Sequence, residues 1–249
     1  MKATKNRSQG CTHWQVKVAT TLLLTTLFFS STGFCQRFSW GLSYGISVSS
    51  WMGETDNYVS DFEQGMKDFG FHTTVFNRPR FGLGNAGLIL NYKIKDWFAV
   101  QTEVDYLNEG THLSGYNSID RVTMNLRMAH NVNYLQIPIF AQFNSESGWF
   151  IQAGPYMAIK LYSQLKVAVW LPEEHAQTGK QDLPGISSFD YGFGGGFGYK
   201  KGIVGFEMRY QRGFNSVLEK DAGPYKMTNS VFLIKVDFIF DWKKGNVKI

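Results

Sequence analysis

From Phe38 to Trp51 the chain alternates between large apolar and small polar positions. Phe38, Trp40, Leu42, Tyr44, Ile46 and Val48 hold the even positions, and Ser or Gly holds each odd one from Ser39 to Ser49. Successive side chains of a β-strand point to opposite faces, so this period of two predicts a strand with one greasy and one small polar face. A helix would scatter the same residues around its circumference. The code returns seven more times. Gly84 to Ile94 sets Ala86, Leu88, Leu90, Tyr92 and Ile94 against Asn85, Gly87, Asn91 and Lys93, with Ile89 out of phase. Phe98 to Tyr106 opposes Gln101, Glu103 and Asp105 to an apolar side, and a fourth run ends at Phe143 with Gln136, Pro138 and Gln142 on its polar side. A fifth starts at Trp149 and places Gln152, Gly154, Tyr156 and Lys160 opposite Ile151, Ala153, Met157, Ile159 and Leu161. In the sixth, Phe189 to Tyr199, aromatics alternate with Asp190 and glycines. The seventh opposes Val204, Phe206, Met208 and Tyr210 to Gly205, Glu207, Arg209 and Gln211. The eighth runs from Phe232 to Trp242 with Lys235, Asp237 and Asp241 on its polar face.

The connections alternate in length. Polar stretches at Met52–Phe81, Asn108–Val122, Ser163–Ser188 and Gly213–Thr228 are long, whereas Lys95-Asp96, Asn144–Gly148 and Lys200–Gly202 are short turns. Eight strands joined in this way predict an all-β fold, an eight-stranded antiparallel up-and-down transmembrane β-barrel with four long extracellular loops. The apolar face carries aromatics near the strand ends, as a lipid-facing surface does. The ionic residues share the other face. A soluble barrel binding a small hydrophobic ligand would have the reverse polarity, and it stands as the alternative fold reading. An eight-stranded lumen is largely filled by side chains, so a wide pore is not expected.

The start of the chain changes how charge and cysteine are read. Lys2, Lys5, Arg7 and Lys17 precede an apolar run from Val18 to Phe29, the pattern of a cleavable signal peptide, here residues 1–35. The run is shorter than the roughly 20 residues of a spanning helix, and Phe34 is a poor neighbour for lipoprotein processing at Cys35. This leader holds four of the 25 basic residues and none of the 20 acidic ones, so residues 36–249 carry a net charge of +1. The sequence pI of about 9.1 is therefore no argument for a nucleic-acid partner. Both cysteines, Cys11 and Cys35, lie in the leader, which leaves no disulfide framework or thiolate metal site. The expected location is the outer membrane of a Gram-negative cell, with outer-membrane lipid around the barrel.

Asn133-Tyr134-Leu135-Gln136-Ile137-Pro138-Ile139 resembles the Tyr-Leu-Glu-Ile-Pro hallmark of a family of bacterial outer-membrane β-barrel proteins that includes PorT-like proteins. Ala153-Gly154-Pro155-Tyr156 and Arg209-Tyr210 are similar to its later strands. Gln136 stands where Glu is more usual. The resemblance implies the barrel and its location. For some members it also implies a link to the secretion of cell-surface proteins.

The polar face supplies the candidate chemistry. Lys93, Glu103, Asp105, Lys160, Asp190, Glu207, Arg209, Lys235 and Asp237 are all expected in the lumen. They form either a plug of mutual salt bridges, each charge tolerated because it is paired, or an ion or proton relay. Glu103 and Asp105 share a face but have poor substrate access for glycosidase chemistry. Gly192 to Gly198 lacks the third Gly of a dinucleotide loop, and alternating Gly more simply makes room in a crowded lumen. His72, His112, His130 and His175 lie near the loop-bearing end without metal-ligand spacing. No catalytic residue, cofactor or metal is expected, although a loop-face enzyme remains a rival. The first loop holds Tyr58, Phe62, Phe69, Phe71 and Phe76, which serve either as a lid over the barrel mouth or as a patch for an envelope protein partner.

Overall fold

The computed structural model describes residues 37–68, 73–119, 122–170 and 177–241. The leader at 1–35, the segments holding Phe69, Phe71, His72, Glu173, Glu174 and His175, and Trp242 with the basic tail lie outside them. Residues 39–240 form one compact unit.

Among the described residues nine strands make up most of the fold: β1 (Phe38–Gly53), β2 (Thr73–Lys95), β3 (Phe98–Ile119), β4 (Val122–Asn144), β5 (Trp149–Trp170), β6 (Gln177–Asp182), β7 (Phe189–Lys201), β8 (Val204–Gly213) and β9 (Met227–Asp241). Their hydrogen-bonded order is β4-β3-β2-β1-β9-β8-β7-β5, and a β4–β5 pairing closes this ring of eight. The ring is antiparallel and up-and-down, as the sequence pattern predicts. Closure leaves the eight strands no free edge. The ninth strand, β6, hangs from β5 outside the ring. β7 pairs with β5 only from Trp149 to Ile159, and β6 takes over from Gln164 to Val169.

Burial follows the alternation. Along β1 each Ser or Gly from Ser39 to Ser49 is buried, and each large residue from Phe38 to Ile46 is exposed. Exposed Leu88, Val104, Ile139, Ile159, Phe193, Phe206 and Val236 continue the apolar exterior around the ring. At the short-turn end the exterior is aromatic. Phe98 and Phe143 meet at 5.2 Å, Trp149 and Tyr199 at 5.2 Å, and Trp40 and Phe240 at 5.0 Å. Amphipathic rings of this kind form the girdle at a membrane–water boundary. The out-of-phase Ile89 is fully buried, joined inside by Phe140, Leu107 and Leu233. The interior is thus more apolar than alternation alone suggests.

Two glycines show why the polar face is built from small residues. A Cβ on Gly198 would lie 2.3 Å from the Phe150 ring, so this glycine leaves room for an inward aromatic. Gly110 has φ of +132° and a Cβ there would sit 1.8 Å from the His130 carbonyl oxygen, where β3 and β4 approach closely.

The long connections differ from the sequence expectation in kind. The second, expected as a loop over Asn108–Val122, is mostly strand: β3 and β4 stay paired out to Ile119 and Val122. The third becomes the β5–β6 hairpin, and the first contains helix α1, Thr55–Asp68, before β2 begins at Thr73. Beyond the ring the outward face of these strands turns polar and basic, at Arg78, His112, Ser114, Arg127 and Lys166, while apolar Val75, Leu113 and Met128 face inward. The two-period apolar signal therefore fades while the hydrogen-bond ladder continues.

Because Val104 lies on the exterior within the apolar stretch Phe98–Tyr106 of β3, a charge there meets hydrocarbon. Val104→Arg is expected to cost about 2–4 kcal/mol of unfolding stability in lipid, and Val104→Leu almost nothing. Urea titration of both variants in liposomes checks this, and equal losses would mean that the face assignment is wrong.

Candidate functional site: the ionic plug and the capped mouth

The inward residues of β3 read Gln101, Glu103, Asp105, Leu107 and Glu109 from the short-turn end upward, and all are buried. Facing them across the lumen are Glu207 and Arg209 of β8 and Lys235 of β9. Arg209 is the hub. Its Nε donates to Glu207 Oε1 at 2.5 Å, its Nη2 donates to Glu103 Oε1 at 2.5 Å, and its Nη1 lies 3.6 Å from Asp105 Oδ2. Its guanidinium carbon sits 4.4 Å from the centre of the Phe140 ring. Lys235 Nζ donates to Glu103 Oε2 and lies 3.2 Å from Asp105 Oδ1. Every member is at most 3% exposed, so each charge depends on these partners for the stabilisation that water would supply.

Amides complete the network. Gln101 donates to Glu103 and Gln152 to Glu207, both at 2.7 Å, while Asn91 donates to Gln101 and Gln142 and Gln211 donates to Gln136 at 3.0 Å. Gln136, in the position where the resembling family carries Glu, thus accepts from a neutral amide and adds no charge to a lumen already rich in carboxylate. Three carboxylates, Glu103, Asp105 and Glu207, share two cations, and Asp237 is buried beside them with its Oδ1 unbonded.

Four of the nine residues expected in one lumen network lie elsewhere or stand apart. Lys93 is half-exposed at the short-turn rim and pairs with Asp96 at 3.1 Å. Lys160 turns to the loops and donates to the Ile186 carbonyl. Asp190 belongs to a higher cluster, accepting from Asn229 Nδ2 at 2.9 Å, Tyr156 OH at 3.4 Å and its neighbour Tyr191 N, with no basic partner among the described residues. Asp237 is close to the plug but makes no ion pair among the described residues. Parity assigns a face and not a height, and these lysines sit near the rims, where long side chains reach other partners.

Above the plug an apolar layer closes the lumen. Trp51, Tyr134, Tyr156, Ile186, Val217 and Met227 pack together, with Tyr58, Leu183, Leu218 and Tyr225 against them. Helix α1 contributes Tyr58, and its Val59 and Phe62 pack over Val75, Leu113 and Met128 on the inner face of the extended strands. Spacing of Thr55, Tyr58, Val59, Phe62 and Met66 by three and four is the helical signal that a polar-loop reading passes over. The helix is tied down at several points. Glu63 Oε1 accepts from Val75 N at 2.5 Å, Glu54 Oε2 accepts from Lys226 N at 2.6 Å, and Tyr225 OH donates to Asp61. Tyr58 and Phe62 are therefore part of a lid, whereas Phe76 is exposed on the opposite face of β2.

His130 is buried 4.9 Å from Trp51, and His112 is half-buried on the outer side of β3. Among the described residues no group of three or more His, Cys, Asp or Glu side chains is placed to hold a metal ion.

A family profile described as outer membrane protein beta-barrel domain matches residues 29–219. No curated protein matches the chain. Among solved structures, the chain is similar to the attachment invasion locus protein Ail of Yersinia pestis, solved in complex with the heparin analogue sucrose octasulfate. The identity is 9%, with 82% of this chain and 99% of that one covered, at a TM-score of 0.38. It is also similar to Neisserial surface protein A, at 11% identity, 82% and 97% coverage and a TM-score of 0.35. A third is the outer membrane protein OprG from Pseudomonas aeruginosa, at 12% identity, 82% and 96% coverage and a TM-score of 0.30.

Removing the hub of the plug leaves buried carboxylates without a cation. Arg209→Met is expected to destabilise the barrel by about 3–5 kcal/mol, and adding Glu207→Gln to recover part of that loss. Equilibrium unfolding of the single and double variants measures the coupling; strictly additive effects would dissolve the proposed network.

Proposed function

The chain belongs to the outer membrane protein β-barrel domain family, and from that premise we propose an integral barrel with a structural or protein-interaction role and neither open conduction nor catalysis. The observation that carries this reading is the double closure of the lumen. Arg209 and Lys235 cross-link β3 to β8 and β9 inside it, and the Trp51–Met227 layer with α1 covers the loop-bearing end. A solute would have to break several desolvated ion pairs to pass, and a relay would need mobile water where side chains pack. The interior is ionic and the exterior apolar, the opposite of a soluble ligand-binding barrel.

In this reading residues 1–35 are the cleaved leader, the short turns face the periplasm and α1 with the extended hairpins faces outward. An envelope protein is the expected partner at the outward end, where the scaffold is rigid and side chains are free to vary. Export of cell-surface proteins, implied by the resemblance of Asn133–Ile139 to PorT-like proteins, is the narrower form of that role and rests on the motif alone.

Three measurements test the proposal. Membrane fractionation should place the protein with the outer membrane, and the unboiled form should migrate differently from the boiled form on a gel. Planar-bilayer recordings of the wild type should show no stable conductance. Large steady currents, or a soluble periplasmic pool, would overturn the reading. Deleting Glu54 to Asp68 should preserve the heat-dependent migration, because every strand of the ring survives.

A further inference from the structure

The extended strands expose a face that neither the plug nor the lid uses. Pairing aligns outward residues of successive strands into rows. One row runs Arg78, His112, Ala129, Lys166, Lys180 across β2, β3, β4, β5 and β6. The next, two residues farther out, runs Phe76, Ser114, Arg127, Ala168, Thr178. Beyond it, Tyr116, Asn125 and Trp170 face the same way. Small Ala129, Ser114 and Ala168 form a low floor. Phe76 stacks with Tyr116 at 6.4 Å, and Arg127 lies over the Trp170 ring at 5.2 Å. The groove bounded by Phe76, Arg78, Tyr116, Arg127 and Trp170 holds about 400 Å³, within the range of about 300–1,000 Å³ typical of ligand sites.

The charge on this face is one-sided. Arg78, Arg127, Lys166 and Lys180 have no carboxylate partner among the described residues; Asp182, the nearest described acid on β6, pairs with Gln164 in the next row inward. Four cations without a carboxylate partner among the described residues, beside flat aromatic faces, suit a ligand that is both anionic and ring-shaped. Guanidinium forks grip phosphate in two-pronged fashion, and aromatic rings offer an apolar platform for the C–H face of a sugar.

Height selects the source of such a ligand. On β3 the apolar exterior ends at Tyr106, whose hydroxyl bonds Asn133 Oδ1 at 2.7 Å and lies 2.9 Å from Tyr162 OH. Ser114, at the groove floor, comes eight residues later, about 27 Å along the strand and about 20 Å above the apolar belt at ordinary barrel tilt. A phospholipid headgroup layer, about 5–8 Å deep, ends well below it. A glycolipid with several linked sugars reaches it, while its acyl chains lie along exposed Val104, Ile139 and Ile159 on the same strands. We propose that the Arg78–Arg127–Trp170 groove binds the phosphorylated sugar headgroup of an outer-leaflet glycolipid. The assignment rests on the outer-membrane reading above.

The test uses the full-length protein in nanodiscs, probed with a lipopolysaccharide bearing phosphorylated inner-core sugars. Native mass spectrometry should find this lipid retained on the wild type and at least tenfold less on the Arg78→Gln/Arg127→Gln double variant. The same preparation with its core phosphates removed should bind the wild type at least tenfold more weakly, a comparison that needs no variant to fold. Equal retention in either comparison overturns the proposal. The released, acyl-free phosphorylated oligosaccharide should bind more weakly than the intact lipid. If it binds as tightly, the occupant is a soluble saccharide and the glycolipid assignment fails. Displacement by poly-glutamate at matched charge would show selection for charge alone and also overturn it. Heat-dependent migration, scored on the same samples, separates these failures from failure of the membrane reading itself.

Discussion

Everything inside this barrel is arranged around the need to keep the Arg209 guanidinium ionised without water. It is fully buried at the level where the exterior meets hydrocarbon, so no solvent reaches it from either side. Glu103 and Glu207 take two of its nitrogens, Phe140 covers its face, and Lys235 shares the carboxylates that Arg209 cannot satisfy alone. Removing one partner leaves a stranded charge, whereas the intact set is mutually supportive. That asymmetry makes the plug a device for specificity as much as for stability. A register slip by one residue on β3, β8 or β9 would turn its charges outward into lipid, which strongly penalises every alternative pairing of those strands.

The plug also underlies the proposal that function lies on the outside. The centre of the narrow ring is occupied by salt bridges, and its mouth is packed with Trp51, Tyr58 and Met227. The surface that neither the plug nor the membrane claims is the sheet that β2 to β6 extend beyond the ring. Its two faces have separate tasks. The inner face is apolar and covered by α1, which hides Val75, Leu113 and Met128. The outer face is basic and aromatic and is left open. One strand serves both because its side chains alternate, so Val75 faces the helix while Phe76 faces outward.

The period-two pattern between Phe38 and Phe240 determined the eight-stranded ring, the greasy exterior and the parity of Glu103, Asp105, Glu207, Arg209 and Lys235. Parity is local, set by the geometry of the pleat, and needs no knowledge of neighbours. Which of nine polar-face residues would meet was decided by tertiary structure. Contact across a lumen depends on the relative height of strands far apart in sequence, and that stagger set Lys93 at the rim, Lys160 among the loops and Asp190 in a separate cluster. Tertiary structure also decided the continuation of β3 and β4 through Asn108–Val122 and the lid formed by Tyr58 and Phe62. Outside the membrane the outward face no longer needs apolar residues, so the ladder persists through backbone hydrogen bonds after the lipid-facing pattern ends. The basic groove was invisible for the same reason: Arg78, Arg127 and Trp170 are distant in sequence and become neighbours only when four strands lie in register.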